Sequence, residues 1–246
     1  MLAAHFFIVK GISHITEQTM NKEEGYKELE EKLSYEFKDK SLIISALTHS
    51  SFKNEKPHIR DYERLEFLGD AVLELTVSEF FYKDNPDMKE GDMTKMRASL
   101  VCEPTLAYCA RELSLGDYVF LGKGEEKTGG RGRESIISDV FEAIIGALYL
   151  DGGIKVAGDF IRKYVLTDYR NKIEFSDSKT TLQEYVQDKG SEMEYELISE
   201  SGPDHHKRYT VRVCVDGKEC GTGTGSSKKR AEQNAAYEAL KYFKES

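Results

Sequence analysis

The sequence predicts an all-α domain followed by a small α+β domain of α-β-β-β-α order. Three observations predict it. Between residues 26 and 175 apolar side chains recur at helical spacing, as in Leu65, Leu68, Val72 and Leu75, and again in Val140, Ile144, Ala147 and Leu148. Composition then shifts at Glu174–Ser178. Beyond that point strand-like segments alternate with turn residues. A chain of 246 residues with 39% hydrophobic content has room for two domains and enough apolar side chain to bury a core in each.

In chain order, residues 1–20 are expected to be a disordered leader or an over-extended start. The apolar run Leu2–Val9 lacks a basic flank and a small-residue cleavage site, and Met20 precedes a polar opening. Residues 21–174 form the all-α domain, punctuated by Pro86, Pro104 and Gly116. Gly122 to Gly132 is polar and glycine-rich and is expected to be a loop, with Ser135 capping the helix that follows. Gly152–Gly153 ends a helix after Asp151. Residues 175–179 are assigned to a linker, whose flexibility would leave the placement of the two domains variable. Residues 180–246 form the second domain, with a helix over Thr180–Asp188 and strands near Tyr195–Ser199, Tyr209–Val215 and Lys218–Thr224. A turn at Ser201-Gly202-Pro203-Asp204 and a hairpin signal at Asp216-Gly217 separate the strands, and a last helix runs from Ser227 to Phe243.

Bulk properties exclude some classes. No apolar run approaches the roughly 18 residues of a membrane span, so no membrane partner is expected. Cys102, Cys109, Cys214 and Cys220 fit neither a disulfide framework nor a zinc pattern, and free thiols in a reducing cytoplasm are expected. The net charge of −9 argues mildly against phosphate binding. Residues 177–246 hold 11 basic and 13 acidic side chains, and the remainder 24 and 31, so neither part is basic. Any nucleic-acid contact must come from local clusters or bound metal.

The densest chemistry lies in Glu63-Arg64-Leu65-Glu66-Phe67-Leu68-Gly69-Asp70-Ala71-Val72-Leu73. Glu63, Glu66 and Asp70 share one helix face at i, i+3 and i+7, and Asp139 and Glu142 repeat the i, i+3 spacing. Like charges so placed destabilise a helix by about 0.2–0.5 kcal/mol per pair. They persist either on a solvated face or where a cation neutralises them, and spacing alone leaves both open. Apolar flanks, Leu65, Phe67, Leu68, Ala71 and Val72 on one helix and Val140, Phe141, Ala143, Ile144 and Ile145 on the other, predict that both helices are largely buried. Oxygen-only ligands point to Mg²⁺ or Mn²⁺ rather than zinc. A di-iron bundle would need Glu-x-x-His, but Gly69 follows Glu66 and Ile145 follows Glu142 at that spacing.

The string Glu63 to Leu73 resembles the signature of the ribonuclease III family. Ala46-Leu47-Thr48-His49-Ser50 before it, Gly91-Asp92-Met93-Thr94-Lys95-Met96-Arg97-Ala98 after it, and the acidic helix Ser138 to Ala147 agree. The likeness runs from about Tyr26 to Ser246. It implies a ribonuclease III fold and a metal-dependent endoribonuclease that cuts both strands of double-stranded RNA. The expected products are 5′-phosphate and 3′-hydroxyl ends with short 3′ overhangs, and the usual substrates are rRNA precursors and structured mRNA. It makes Glu66, Asp70, Asp139 and Glu142 the catalytic, metal-binding set for Mg²⁺, with Mn²⁺ able to substitute. Glu63 and Glu90 match supporting acidic positions. It also implies a homodimer, with Phe67 at the position that plugs the partner subunit; an intramolecular core phenylalanine is the alternative. The family often carries an asparagine-containing stretch where this chain has Ile59-Arg60-Asp61-Tyr62, a departure expected to affect helix entry more than chemistry.

The C-terminal part resembles a double-stranded RNA-binding domain. Thr180-Thr181-Leu182-Gln183-Glu184-Tyr185-Val186-Gln187 is similar to its first helix, where Gln183 and Gln187 would reach 2′-hydroxyls in the wide minor groove, with Thr180 and Glu184 as further contacts. Gly202-Pro203-Asp204-His205-His206-Lys207 is similar to the loop that enters the next minor groove, with His205 as the contact. Gly225-Ser226-Ser227-Lys228-Lys229-Arg230-Ala231 is similar to the start of the last helix, where Lys228 and Lys229 would grip phosphates. Glu232 stands where relatives often add a basic residue, which is expected to weaken phosphate affinity. A non-catalytic RNA-binding protein on the same scaffold is the alternative function; the intact four carboxylates favour the enzyme.

Overall fold

The computed structural model describes residues 26–55, 58–202, 207–225 and 227–245. The expected leader, the turn residues Pro203 and Asp204, and His205 lie outside these. The first domain opens with α1 over residues 26–33, then α2 (Lys40–Ala46), α3 (Ser50–Glu55), α4 (Glu63–Asp84), α5 (Glu90–Leu100) and α6 (Glu103–Glu112). There follow α7 (Lys123–Lys127), α8 (Glu134–Ile161), a π-helical segment (Arg162–Leu166) and α9 (Tyr169–Ser176). Two helices organise it. Helix α4 buries Leu65, Gly69, Val72, Leu73, Thr76, Val77 and Phe81, a stripe at helical period. In α8 every residue from Ile136 to Leu148 is buried except Asp139 and Glu142, which are half-buried. A helix that apolar must be central, and it is surrounded by one continuous core drawn from α1 to α9.

The structure corrects several details. Phe67 and Ala71 face solvent, so α4 is buried along one stripe rather than throughout. Gly122 to Gly132 is not all loop: it contains α7 and a 3-10 turn, Gly130–Gly132. Arg131 explains why glycine content is overridden there, donating to the carbonyls of Gly116 (3.0 Å) and Val119 (2.9 Å) and pairing with Glu126 at 2.6 Å. Ser135 is not the cap, because α8 already starts at Glu134 behind Arg133. The break after Asp151 falls where expected: Gly153 has φ 79°, a left-handed value that strains any side chain. The Asp151 carboxylate accepts from the amides of Lys38 (2.9 Å) and Asp39 (3.0 Å) and from the Tyr35 hydroxyl (2.7 Å), tying α8 to the α1–α2 connection. All four cysteines are free thiols, Cys109 with its pKa pushed up to about 12 by burial.

Only Asp177 separates α9 from α10 (Ser178–Asp188), which opens the second domain. Strands β1 (Met193–Ser201), β2 (Arg208–Val215) and β3 (Lys218–Gly225) form an antiparallel sheet in that order, and α11 (Lys228–Glu245) lies across it. Asp216 and Gly217 both have positive φ, 50° and 74°, as a two-residue hairpin turn whose twist matches its strands requires. Ala235, Ala236, Ala239 and Leu240 of α11 pack with Leu182, Val186 and Val213 in a second, separate core. The fold is thus an all-α domain followed by an α-β-β-β-α domain.

Candidate active site and RNA-binding surface

Side chains on α4 and α8 converge because the two backbones touch. A Cβ on Gly69 would lie 1.8 Å from the carbonyl oxygen of Glu142, and one on Gly146 would lie 2.2 Å from that of Leu65. Glycines on both helices therefore let backbone meet backbone at the crossing, where any side chain would hold the helices apart. The acidic positions sit beside it. One oxygen each from Glu66, Asp139 and Glu142 comes together so that all three lie within 4.8 Å of one another. Asp70 is exposed and outside this trio, yet it acts electrostatically on Glu66 and Glu142. Glu63, also exposed, acts on Glu66. Glu90 does not join the cluster; it accepts from the Thr94 hydroxyl (3.1 Å) in a shallow groove beside Leu75 and Tyr82.

Electrostatics mark the trio as unfinished. Burial, then the charges of Asp70, Glu66 and Asp139, push Glu142 up to about 8. Burial, then Asp139, Glu63 and Asp70, push Glu66 up to about 7. Among the described residues none of the four central carboxylates has a Lys or Arg ion partner. Partly buried like charges without a cation are unfavourable, which is the physical meaning of those shifts.

Two residues with no role assigned from sequence complete the site. The Tyr62 ring is 4% exposed, its hydroxyl donates to Asp139 Oδ2 at 3.2 Å, and its ring lies 5.7 Å from that of His49. That hydrogen bond and the nearby His49 partly offset the raising of the Asp139 pKa by burial. The Tyr62 amide donates to the Thr48 carbonyl (2.9 Å), and the Phe120 amide to that of Leu47 (2.8 Å), so the Ala46–Ser50 segment braces the tyrosine. Tyr62, in the stretch that departs from the family pattern, thus touches the carboxylate cluster as well as opening α4; Asp61 meanwhile pairs with Lys53 at 2.6 Å.

Phe67 is 80% exposed and so is not a core residue. Leu75 (62%) and Tyr82 (74%) follow it at spacings of eight and seven, giving α4 an apolar outer stripe. In the second domain, Thr180, Gln183, Glu184 and Gln187 are all exposed on α10, and Lys228 and Lys229 are exposed at the start of α11. Ser227 Oγ accepts from the Arg230 amide (3.2 Å) and caps that helix. Glu232 is occupied by Lys179 at 2.5 Å, joining α11 to α10.

The described structure is a helical domain with a half-buried carboxylate trio, followed by an α-β-β-β-α module with exposed amides and lysines. Residues 39–169 match the family model described as ribonuclease-III-like, and residues 178–243 match the double-stranded RNA binding motif. The chain is 51% identical over 229 residues to Ribonuclease 3 of Bacillus cereus, covering 90% of this chain and 93% of the relative, and equally so to a Bacillus anthracis protein named Ribonuclease 3. A solved structure of the ribonuclease III nuclease domain from Campylobacter jejuni, titled for flexibility in a region involved in dimer formation, is 45% identical with a TM-score of 0.55. It covers 58% of this chain and 97% of that one. The chain belongs to the ribonuclease III family.

Proposed function

We propose that the protein is a Mg²⁺-dependent endoribonuclease that cuts both strands of double-stranded RNA as a homodimer. The observation that carries this reading is the trio Glu66, Asp139 and Glu142, with oxygens within 4.8 Å of one another and, among the described residues, no Lys or Arg ion partner. An all-oxygen set of this charge fits a hard divalent cation, Mg²⁺ with Mn²⁺ as substitute, better than a soft one. Glu66, Asp70, Asp139 and Glu142 would hold it, Asp70 from the exposed rim, with Glu63 and Glu90 in supporting places. When bound, such a cation supplies the positive charge that draws in a phosphodiester and activates water toward it.

The chain's own residues do the rest. Tyr62 holds Asp139 in place, and the glycine crossing sets the spacing between the acidic faces. Without a cation the same carboxylates repel phosphate, so the acidic balance of the chain becomes part of the mechanism. The expected products carry 5′-phosphate and 3′-hydroxyl ends with short 3′ overhangs, and cytoplasmic rRNA precursors and mRNA are the proposed substrates. Residues 21–174 would cut and residues 180–246 would grip, joined through 175–179. Thr180, Gln183, Glu184, Gln187, Lys228 and Lys229, together with His205, are the proposed RNA contacts.

The test incubates a long RNA duplex with the protein in Mg²⁺ or in chelator. Shortening in Mg²⁺ alone is expected; tight binding without shortening in Mg²⁺ would favour the non-catalytic alternative. Replacing Lys228 and Lys229 by alanine should weaken binding and reduce the slope of log affinity against log salt by about two. An unchanged slope would reject those two contacts.

The exposed stripe of Phe67, Leu75 and Tyr82 supports the homodimer, because a soluble surface rarely leaves three large apolar side chains on one helix face uncovered. Phe67→Ala is expected to weaken the dimer at least about tenfold by sedimentation, the loss of one aromatic anchor. A dimer constant within twofold of wild type would remove Phe67 from the interface.

A further inference from the structure

Arg230 follows Lys228 and Lys229 but turns the other way. Its side chain is only 10% exposed and its Nη2 lies 3.2 Å from Glu134 Oε1, at the first residue of α8 in the nuclease domain. The same oxygen takes Arg111 Nη2 of α6 at 2.6 Å. The Arg230 guanidinium also stacks over Phe175, its carbon 5.2 Å from the ring centre. Phe175, in the last turn of α9, is held from both sides, by Tyr108 of α6 at 5.7 Å and by Tyr237 of α11 at 5.2 Å. Gln233 Nε2 donates to its carbonyl at 3.0 Å, and Lys244 of α11 pairs with Glu174 at 2.5 Å. A one-residue break at Asp177, itself 3.7 Å from Lys95, completes the junction. The connection expected to be a flexible linker is therefore packed and hydrogen-bonded.

We infer that Glu134, Phe175 and Arg230 form a latch that docks the RNA-binding module on the nuclease domain and positions it for cleavage. The docked state hides none of the proposed grip among the described residues, since Thr180, Gln183, Glu184, Gln187, Lys228 and Lys229 all stay exposed. Docking is thus compatible with binding, and its effect is to set the offset between where the duplex is held and where it is cut. Arg230 accordingly serves as an anchor and is not a phosphate contact. A cleft of about 930 Å³, lined among others by Arg111, Arg133, Glu134 and Arg230, remains between the domains, so water and salt reach the latch's ion pairs.

The inference rests on the proposed gripping of duplex RNA, and the test separates the two. Small-angle scattering of the full-length protein without RNA should show a compact wild type at roughly 0.15 M salt that expands at about 1 M salt. Arg230→Met and Glu134→Gln, one in each domain, should already be expanded at the lower salt. Both should bind duplex RNA within twofold of wild type with the same salt slope, and should cut a duplex of defined sequence at scattered positions where wild type cuts at one. Wild-type scattering from both variants would overturn the latch. A slope reduced by about one in Arg230→Met would instead make Arg230 a phosphate contact. Expanded variants that keep the wild-type cut position would overturn the positioning role. A compact wild type that ignores duplex RNA would overturn the proposed function and the positioning with it, while docking itself stands on the scattering.

Discussion

Glu142→Gln is expected to slow duplex cleavage in Mg²⁺ by at least about 10³-fold, yet to make the metal-free protein more stable at pH 8. The first effect follows from removing one of the proposed negative ligands, whose shared cation would supply several kcal/mol of charge stabilisation. The second follows from burial and repulsion, which hold the folded-state pKa of Glu142 at about 8 against an ordinary 4.5. The folded protein therefore binds more protons than the unfolded chain across that window. Where the native state holds the extra proton, stability falls as pH rises. In chelator the wild type should lose stability between about pH 4.5 and 8, fully present below the window and lost above it. Partial exposure to water reduces the contribution of this one group to about 2 kcal/mol. Glutamine keeps the shape, removes the charge, and should raise the pH 8 melting temperature by about 4–8 °C in a domain of this size. Saturating Mg²⁺ should stabilise wild type at pH 8 and leave the variant nearly unmoved. Calorimetry in chelator decides it: a wild-type melting temperature flat across the window, or a variant less stable than wild type at pH 8, would sink the argument.

Much of this site was readable before the fold was known, and the reason is periodicity. Spacings of three and four residues put Glu66 on one face of α4, and Asp139 and Glu142 on one face of α8, without reference to anything else. The hairpin at Asp216-Gly217 was equally legible, since two successive positive φ angles suit few residue pairs. What spacing cannot supply is which faces oppose and how closely. Glu66, Asp139 and Glu142 form the trio while Asp70 stays at the exposed rim, a distinction made by the crossing of two helices and not by either alone. Tyr62 reaches Asp139 across 77 positions of sequence, so no local pattern announces it. Lys228, Lys229 and Arg230 read as one basic run, yet the third side chain turns inward because α11 rotates it about 100° from its neighbour, toward Glu134 and Phe175. The stretch Gly122–Gly132 misled in the opposite sense: glycine favours loop, but the bonds Arg131 makes to the backbone hold it in helical turns.

Gly69→Ala is expected to destabilise the protein by about 3 kcal/mol or more and to weaken divalent-cation binding with it. The opposing terms can be compared directly. Alanine is the better helix former by about 1 kcal/mol, which on an open surface would stabilise α4. Here the added carbon would lie 1.8 Å from the Glu142 carbonyl oxygen, and both atoms belong to backbones that cannot rotate away. Ordinary contact needs roughly 3.5 Å, so α4 and α8 must separate by more than 1 Å or tilt. Overpacking a core of this density costs about 1–3 kcal/mol even where side chains can yield, and backbone against backbone lies at the upper end or beyond. The clash therefore outweighs the propensity gain. The same displacement moves Glu66 away from Asp139 and Glu142, so cation affinity must fall although no ligand has been changed. Gly91 provides the contrast: a Cβ there meets nothing within 4 Å, and Gly91→Ala should be neutral or slightly stabilising with unaltered cation binding. Melting curves and cation titrations of both variants test the pair. Equal behaviour of the two would mean that the α4–α8 crossing is not what sets the geometry of the site; a loss confined to Gly69→Ala would identify the close approach at Gly69 as what lets the acidic faces meet.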